Sequence, residues 1–374
     1  MKTDRKIHIG VLFGGRSGEH EVSLMSARSV LSVLDPQKYE IIRVGITHQG
    51  EWFAGENALE ALQNGDTSGL TRVTLLPQPG LNQLYAIEEQ DGRATLRPYA
   101  ALDVVFPVLH GTFGEDGTLQ GLLEMADLAY VGGGVLASSV GMDKALFKEI
   151  LRSRGVRVVP SLTYTRRQIQ TDIEAVLDQA ETISHYPLFV KPVNLGSSVG
   201  VSKCRDRHQL RLGLENAARY DRRVLVELGV NAREIEVSVL GNDQPIASIP
   251  GEILPAGDFY SYESKYMDER SELVIPAPLD EITMEEIRRI AVEVYRAMDG
   301  AGMARIDFLL DRETGIAYVN EANTIPGFTK ISMYPKLWEA SGLSYQELVD
   351  QLIELAFERK KDRDQTVREY GSAA

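Results

Sequence analysis

The sequence has little of several things that would define a function class. It contains one cysteine, Cys204, among 374 residues. A single cysteine excludes an internal disulfide and a metal site of several thiolates, and it fits a reducing cytoplasmic compartment. Long apolar runs are also missing. The N-terminal apolar run, residues 7–13, is short and ends in glycines, so we expect neither a signal peptide nor a membrane span.

Basic residues are in the minority. There are 40 Lys and Arg against 54 Asp and Glu, which gives a formal charge of −14. Nucleic-acid affinity rests mainly on Lys and Arg, so this balance argues against a nucleic-acid partner. A hydrophobic content of 43% with 25% charged residues is typical of a globular protein. The length exceeds that of one core, and we expect two or three domains.

A stretch near the C-terminal end, residues 302–328, predicts an antiparallel hairpin. Two apolar runs, residues 306–310 and 316–320, are joined by a five-residue loop that contains a glycine. If Leu310 and Ile316, at the two ends of this loop, lie opposite each other, then Arg305 lies opposite Glu321.

Polar side chains of this hairpin are expected to converge. Alternation along a strand puts Arg305 and Asp307 on one face, and likewise Glu321 and Asn323. Carboxylate and amide oxygens are the ligands that Mg²⁺ prefers, with water and nucleotide phosphates completing its shell. The alternative is a solvated hairpin face. The Gly/Pro turn at residues 323–328, where backbone can approach a ligand closely, favours a site.

The N-terminal segment predicts the start of a doubly wound α/β domain. A buried strand, residues 7–13, leads through a glycine-rich loop into a helix, residues 22–34. The glycines do not follow G-x-G-x-x-G, so a dinucleotide site is weakly supported. Glu19 and Glu21 fit two interpretations equally well: acids that favour a helix N-terminus, or a carboxylate that holds an ammonium group.

Further polar loops follow predicted strands. The apolar run at residues 102–109 leads into the glycine-rich loop 110–117, and a triple-glycine turn closes the domain near residue 135. The Gly/Ser-rich loop 193–201 follows Lys191. The loop fits a plain hairpin turn, but Lys144 and Lys191 make phosphate binding at least as good an interpretation. No P-loop motif is present.

Two more features suit a nucleotide site. A strand that ends at Glu227, with Glu234 on the next strand, could take an adenine amino group and ribose hydroxyls, although isolated acids are more often solvated. The loop at residues 258–270 carries three tyrosines and a lysine. It predicts either an active-site lid or a packed surface Ω-loop.

Taken together, these motifs resemble the D-alanine–D-alanine ligase family of the ATP-grasp superfamily. The match spans nearly the whole chain through GGRSGEHEVSL, HGTFGEDGTLQG, MDK, KPVNLGSSVGV, YSYESKY, RIDF and NEANTIPGFT, in that order. The resemblance implies an α/β ATP-grasp fold. A Rossmann-like parallel-sheet domain (residues 1–135) precedes two α+β parts that clamp ATP (residues 136–227 and 228–374), with a lid loop at 257–271.

The resemblance also implies a reaction. ATP phosphorylates the carboxylate of one D-alanine, and the amine of a second D-alanine attacks the acylphosphate. Two Mg²⁺ (or Mn²⁺) ions would bind Asp307, Glu321 and Asn323, and a monovalent cation is left open. The phosphates of ATP would be bound by Lys144, Lys191, Ser198 and Lys265. Adenine and ribose would be bound by Glu227, Glu234 and the backbone of Leu228.

The remaining roles follow from the same motifs. Arg305 and the backbone of Gly327 would stabilise the oxyanion of the tetrahedral intermediate. The first D-alanine would be bound by Glu19, together with Ser197 and Tyr266, and bordered by His110. The second D-alanine would be bound by Ser332 and Met333. The family also implies a homodimer. Tyr266 indicates D-alanine rather than D-lactate as acceptor, because related depsipeptide ligases often have phenylalanine there.

Three other functions remain open at this stage. Another ATP-grasp carboxylate–amine ligase, forming D-Ala-D-Lac or a different dipeptide, would keep the fold and change the acceptor. A non-catalytic nucleotide-binding protein is disfavoured by the intact carboxylates and Arg305. A Rossmann dehydrogenase lacks the glycine fingerprint.

Overall fold

The computed structural model describes residues 5–196, 199–254 and 272–368. In this part of the chain the backbone forms three β-sheets with helices packed against them. The strands of each sheet are contiguous in sequence, so the three sheets follow one another along the chain. None of the helices in the described part of the chain is long and apolar enough to cross a bilayer.

The first sheet has eight strands in the order β6-β5-β4-β3-β2-β1-β7-β8. Strands β2, β1, β7 and β8 are parallel, whereas β3 to β6 join them antiparallel. The elements are β1 (Ile7–Gly14), α1 (His20–Val33), β2 (Tyr39–Ile46), β3 (Trp52–Ala54), α2 (Ala58–Asn64), β4 (Thr71–Leu75), β5 (Gln83–Gln90), β6 (Arg93–Ala101), β7 (Val104–Val108), α3 (Thr118–Met125) and β8 (Ala129–Tyr130).

The predicted parallel sheet is confirmed for its central strands. The strand β1 is apolar because both of its faces are covered, as is usual for parallel strands. The strands β4 to β6 of the antiparallel extension were not predicted. Strands β4 and β5 come from the polar, glycine-rich segment 56–92, where the sequence shows no clear periodicity.

The second sheet has four antiparallel strands in the order β11-β10-β12-β9. The elements from its start are α4 (Val135–Met142), α5 (Lys144–Ser153), β9 (Ser161–Thr165), α6 (Arg166–Thr171), α7 (Ile173–Ala180), β10 (Leu188–Pro192), β11 (Ser202–Cys204), α8 (Arg207–Tyr220) and β12 (Arg223–Leu228). Asp143 caps α5 by accepting a hydrogen bond from the N–H of Leu146. That cap fixes the start of the helix at Lys144.

The third sheet is antiparallel, in the order β16-β15-β13-β17-β18, with β14 paired to β13. Two helices after the hairpin return to the first sheet, where Trp338 and Leu352 join the core around Phe13. The elements are β13 (Ala232–Leu240), β14 (Ile246–Ala247), β15 (Gly251–Leu254), β16 (Glu272–Val274), α9 (Glu281–Ala297), β17 (Met303–Asp311), β18 (Ala317–Asn323), α10 (Met333–Ala340) and α11 (Tyr345–Arg363).

The hairpin of β17 and β18 forms as predicted, but the predicted register is wrong. Arg305 pairs with Asn323, and Asp307 pairs with Glu321. The sequence placed Arg305 opposite Glu321. The two carboxylates are therefore cross-strand neighbours, closer than the predicted register would bring them.

Two local features cause this shift. At the loop end, Leu310 pairs with Ala317 and not with Ile316, which offsets the strands by one residue. A β-bulge between Asp307 and Phe308 adds a second residue. Bulges change which side chains face each other, and simple alternation does not reveal them.

Candidate active site

Two adjoining cavities open on the β17–β18 hairpin. The larger cavity has a volume of about 970 Å³ and the smaller cavity about 440 Å³. Both volumes are in the range of small-molecule sites. Arg305 lines the larger cavity, and Asp307 lines the smaller one. The walls that the two cavities share are Lys144, Gly196, Glu236, Ile253 and Glu321.

Glu19 lies in the wall of the larger cavity, where the loop after β1 meets the start of α1. Its carboxylate is buried beside two glycines. A Cβ atom on Gly111 would come within 2.5 Å of Glu19 Oε2, and one on Gly196 within 2.6 Å. Only glycine fits at these two positions without displacing the carboxylate, so the glycines of two separate loops shape the pocket around it.

His110 also lines the larger cavity, and a chain of hydrogen bonds fixes it. Its Nδ1 lies 2.9 Å from the carbonyl oxygen of Ile325, and its Nε2 lies 2.9 Å from Ser26 Oγ. A carbonyl only accepts, so Nδ1 carries the proton and Nε2 accepts from the serine. The N–H of Phe328 donates to the same Ser26 oxygen at 3.2 Å. Burial lowers the pKa of His110, which keeps the ring neutral in this arrangement.

Glu115 joins the 110–117 loop to the turn after β18. Its two oxygens accept hydrogen bonds from the N–H groups of Gly111 at 2.8 Å and Ile325 at 2.9 Å. Burial and the nearby Glu19 carboxylate raise the pKa of Glu115 to about 8. This acid therefore braces the larger cavity and binds a proton more readily than an exposed carboxyl group.

The N-terminus of α10 faces the larger cavity. Ser332 occupies the cap position without a side-chain cap bond, and Met333 begins the helix. The Ser332 hydroxyl instead contacts Thr329, whose N–H lies 3.0 Å away. Gly327 is close, because a Cβ there would lie 2.8 Å from Ser332 Oγ. The first-turn N–H groups of this helix are consequently not capped by the serine, and such groups attract anions.

Arg305 lies between two carboxylates. It donates from Nε and Nη2 to the two oxygens of Asp307, each at 2.7 Å, and its Nε lies 2.9 Å from Glu236 Oε2. Burial lowers the pKa of Arg305, but Asp307 and Glu236 outweigh it and the pKa is raised well above its usual value. The half-buried guanidinium is therefore a permanent cation in the cavity wall.

The oxygen-rich end of the hairpin has the donors that a hard cation needs. Asn323 Nδ2 donates to Asp307 Oδ2 at 3.0 Å, and Glu321 is the cross-strand neighbour of Asp307. Lys144 Nζ lies 3.7 Å from Glu321 Oε2 and donates to the carbonyl of Leu195 at 2.9 Å. Two carboxylates and an amide are a donor set that fits Mg²⁺ or Mn²⁺.

The smaller cavity combines cations with two acids. Lys191 Nζ forms an ion pair with Glu227 Oε1; the side chain of Glu227 is buried and that of Lys191 is half-buried. Burial lowers the pKa of Lys191, but Glu227 outweighs it and the net shift is upward. Glu234 and Leu228 also line this cavity. The N–H of Leu228 donates to the carbonyl of Pro160 at 3.1 Å.

Every predicted site residue in the described part of the chain lines one of the two cavities. Four predicted residues lie outside the described residues: Ser197, Ser198, Lys265 and Tyr266. The whole of the predicted lid loop, residues 257–271, also lies outside them.

Sequence reasoning missed four residues of this region. Glu236 had a signal, because it shares a strand face with Glu234 at i+2. Lys148 lies one helical turn after Lys144 and pairs with Glu227 Oε2 at 3.3 Å. For Ser26 and Glu115 we find no sequence signal of their role. Their partners in the turn after β18 lie more than 200 residues away along the chain.

A separate cluster of metal-ligand types lies at the start of α1. His20, Glu21 and His48 bring one ligand atom each within 4.8 Å of one another. The imidazoles of His20 and His48 are stacked, with ring centroids 3.8 Å apart. None of the three lines either cavity of the described structure. This cluster is therefore distinct from the oxygen donors of the hairpin.

Family models match most of the chain. The model for the D-ala D-ala ligase N-terminus matches residues 8–133, and the model for the D-ala D-ala ligase C-terminus matches residues 150–354. Together they include the hairpin and the residues that line the two cavities, except Gly141, Met142 and Lys144.

Individual relatives agree. The chain is 50% identical over 363 residues to the D-alanine–D-alanine ligase of Thermoanaerobacter pseudethanolicus, which covers 96% of this chain and 98% of that protein. The structure of the D-alanine-D-alanine ligase from Coxiella burnetii superimposes with a TM-score of 0.81 at 38% identity, covering 96% of each chain. The VanG D-Ala:D-Ser ligase from Enterococcus faecalis gives a TM-score of 0.83 at 35% identity, covering 94% of this chain and 100% of that one.

The match in sequence and in structure extends over nearly the full length of these proteins. The predicted ATP-grasp architecture is thereby confirmed. The chain belongs to the D-alanine–D-alanine ligase family.

Proposed function

We propose that this chain joins two D-alanine molecules at the expense of ATP, through a D-alanyl phosphate intermediate, and so supplies a dipeptide for peptidoglycan precursors. The observation that carries this proposal is the shared wall between the two cavities. Arg305 lines one cavity, Asp307 lines the other, and the two side chains are hydrogen-bonded. A phosphoryl donor in the smaller cavity and amino acids in the larger one would meet there.

The smaller cavity would hold ATP. Lys144 and Lys191 supply positive charge for the phosphates, and by family resemblance Ser198 and Lys265 join them. Glu227 would accept a hydrogen bond from the adenine amino group beside Leu228. Glu234 would accept from ribose hydroxyls. The burial of Glu227 and its ion pair with the half-buried Lys191 support a fixed binding site in preference to a solvated surface.

Asp307, Glu321 and Asn323 would hold two Mg²⁺ or Mn²⁺ ions against the phosphates. When bound, such ions neutralise phosphate charge and orient the transferred group. The oxygen donor set described above fits this role. Whether a monovalent cation also activates the reaction would be decided by comparing potassium with a bulky organic cation in the assay.

Glu19 would fix the first D-alanine by its ammonium group. Its carboxylate lines the larger cavity beside Gly111 and Gly196, and a carboxylate there can accept charge-assisted hydrogen bonds from an ammonium group. Ser197 and Tyr266 would complete this contact by family resemblance, and His110 would border the substrate as a neutral ring. The substrate carboxylate then attacks the γ-phosphorus of ATP, ADP leaves, and D-alanyl phosphate remains.

Arg305 would act in the second step. The neutral amine of the second D-alanine attacks the acyl carbon, and negative charge develops on the former carbonyl oxygen. The Arg305 guanidinium and the N–H of Gly327 would stabilise this oxyanion until inorganic phosphate leaves. The uncapped N-terminus of α10, at Ser332 and Met333, would bind the carboxylate of the second D-alanine.

The basic test is ADP release measured with Mg²⁺ and a panel of acceptors. We expect turnover with D-alanine, little with L-alanine, and D-alanyl-D-alanine as the main product over products with D-serine or D-lactate. If the protein binds ATP but D-alanine does not stimulate ADP release, the chain would be a non-catalytic nucleotide-binding protein. Preference for another amine would assign the chain to a different carboxylate–amine ligation.

Two finer proposals complete this function. The tyrosine at 266 favours an amine acceptor, so Tyr266→Phe should increase the ratio of D-Ala-D-Lac to D-Ala-D-Ala, and an unchanged product ratio would refute that role. We also propose a cytoplasmic homodimer. Light scattering coupled to size-exclusion chromatography tests the dimer. We expect the mass of two chains, and the mass of one chain would be the contrary result.

A further inference from the structure

Lys148 is a buried lysine that the reaction scheme does not use. It lies on α5 and is 1% exposed. Its Nζ is 3.3 Å from Glu227 Oε2, and Glu227 is 2% exposed. A buried ammonium group is costly unless it is paired, so a lysine at this position needs the carboxylate it contacts.

The carboxylate of Glu227 is held by two lysines, one at each oxygen. Lys191 pairs with Oε1 and lines the smaller cavity, whereas Lys148 pairs with Oε2 and is not among the described residues that line this cavity. Lys148 therefore contacts Glu227 from behind, that is, on the side of the carboxylate that faces away from the cavity. A carboxylate has about four lone-pair sites, so both ion pairs leave room for a further hydrogen bond.

The two lysines decide the charge of Glu227. Burial raises the pKa of Glu227, but Lys148 and Lys191 outweigh it and the pKa falls to about 2. Burial lowers the pKa of Lys148, and Glu227 offsets this only in part. Glu227 thus remains an ionised hydrogen-bond acceptor at neutral pH, and it does so in a nearly water-free environment where such a bond is strong.

We propose that Lys148 is a positioning residue for purine selection: it holds Glu227 from behind so that the carboxylate presents an acceptor to the 6-amino group of adenine. This inference rests on the proposed function, because it takes the smaller cavity as the ATP site and Glu227 as the adenine contact. A 6-oxo purine such as guanine would place a carbonyl oxygen against that carboxylate. The pair of Lys148 and Glu227 thereby distinguishes ATP from GTP.

The test is calorimetric binding of ATP and of GTP, each with Mg²⁺, to the full chain. For Lys148→Met we expect ATP affinity to fall about tenfold or more, as for loss of one hydrogen bond to a charged group, while GTP affinity changes by less than about threefold. The turnover number at saturating ATP should stay within about twofold, because the change acts on binding. Lys148→Arg, which keeps a cation, should retain part of the preference for ATP.

A second pair of variants keeps the test valid if Lys148→Met does not fold. In the Glu227→Gln background the Lys148→Met change leaves no unpaired buried carboxylate. There it should alter ATP affinity by less than about twofold, since coupled residues lose their separate effects. Lys361→Met, on an exposed part of α11, is the matched control and should bind ATP as the parent protein does.

Several results would overturn the inference. These are equal losses for ATP and GTP in Lys148→Met, a fall in turnover number without loss of ATP affinity, or an undiminished effect of Lys148→Met in the Glu227→Gln background. Binding is measured without D-alanine, so the inference can fail while ligation stands. Conversely, a protein that binds ATP selectively but forms no ADP with D-alanine would refute the proposed function and leave this test intact.

Discussion

Arg305 and Asp307, two residues apart on β17, form a two-point ion pair in which Nε and Nη2 each lie 2.7 Å from a carboxylate oxygen. Asp307 is also a proposed metal ligand. The same oxygens cannot serve the guanidinium and a metal ion fully at once. Glu236, 2.9 Å from Arg305 Nε, offers the arginine a second carboxylate when Asp307 is engaged elsewhere.

Asp307→Asn should weaken binding of Mn²⁺ with ATP by at least about tenfold, because it removes a charged ligand from the metal site. Electron paramagnetic resonance of free Mn²⁺ measures this directly. Glu313→Gln, an exposed acid in the loop of the same hairpin, is the control and should bind Mn²⁺ normally. Equal Mn²⁺ affinity in Asp307→Asn and the parent protein would remove Asp307 from the metal site.

Arg305→Lys should lower the turnover number by about 10²- to 10³-fold, the cost of losing an oxyanion donor. The KM for ATP should change little, since Arg305 lines the cavity proposed for the amino acids. Steady-state kinetics at saturating D-alanine measures both. Arg289→Lys, at an exposed ion pair on α9, provides the comparison. A variant of Arg305 that loses ATP affinity and keeps its turnover number would contradict the assigned role.

Ser26→Ala should destabilise the fold by about 1 to 3 kcal/mol, because the N–H of Phe328 and His110 Nε2 would each lose a buried partner. It should also raise the KM for D-alanine by loosening His110. Urea unfolding and substrate titration provide the two values. Ser153→Ala, whose hydroxyl bonds only within α5 in the described structure, should alter neither. If Ser26→Ala has the stability and the KM of the parent protein, this chain of hydrogen bonds is not needed for folding or for D-alanine binding.

Glu115 should make stability depend on pH. Burial and Glu19 raise its pKa to about 8 from 4.5, so the folded state holds the proton more tightly than the unfolded state. Its stabilising contribution is complete below the unfolded value and is lost as pH rises through the folded value. We therefore expect the parent protein to lose stability relative to Glu115→Gln as pH rises from about 4.5 to about 8, with no further loss above the folded value. Thermal unfolding of both proteins over this range checks it, and a constant difference would be the contrary outcome.

The sequence predicted the hairpin and its polar faces because alternation and turn composition are local. The predicted register was wrong because alternation reveals neither the one-residue offset at the loop, where Leu310 pairs with Ala317, nor the bulge between Asp307 and Phe308. The motif residues could be assigned because each lies at the end of a recognisable strand or in a glycine-rich loop.

The supporting residues could not be predicted in this way. Lys148 lies on the buried face of α5, and its partner Glu227 is 79 residues further along the chain (227 − 148). Glu115 and Ser26 act through backbone groups of the turn after β18. Such contacts depend on tertiary structure, so composition and periodicity do not reveal them.

The most direct measurement of the central claim follows an oxygen atom. D-alanine with heavy oxygen in its carboxylate is incubated with ATP and Mg²⁺, and the released inorganic phosphate is analysed by mass spectrometry. If the carboxylate is phosphorylated beside Arg305 and Asp307, one heavy oxygen passes from D-alanine to phosphate in the parent protein, and release of labelled phosphate falls steeply in Arg305→Ala. Unlabelled phosphate accompanying dipeptide formation would contradict the acylphosphate route.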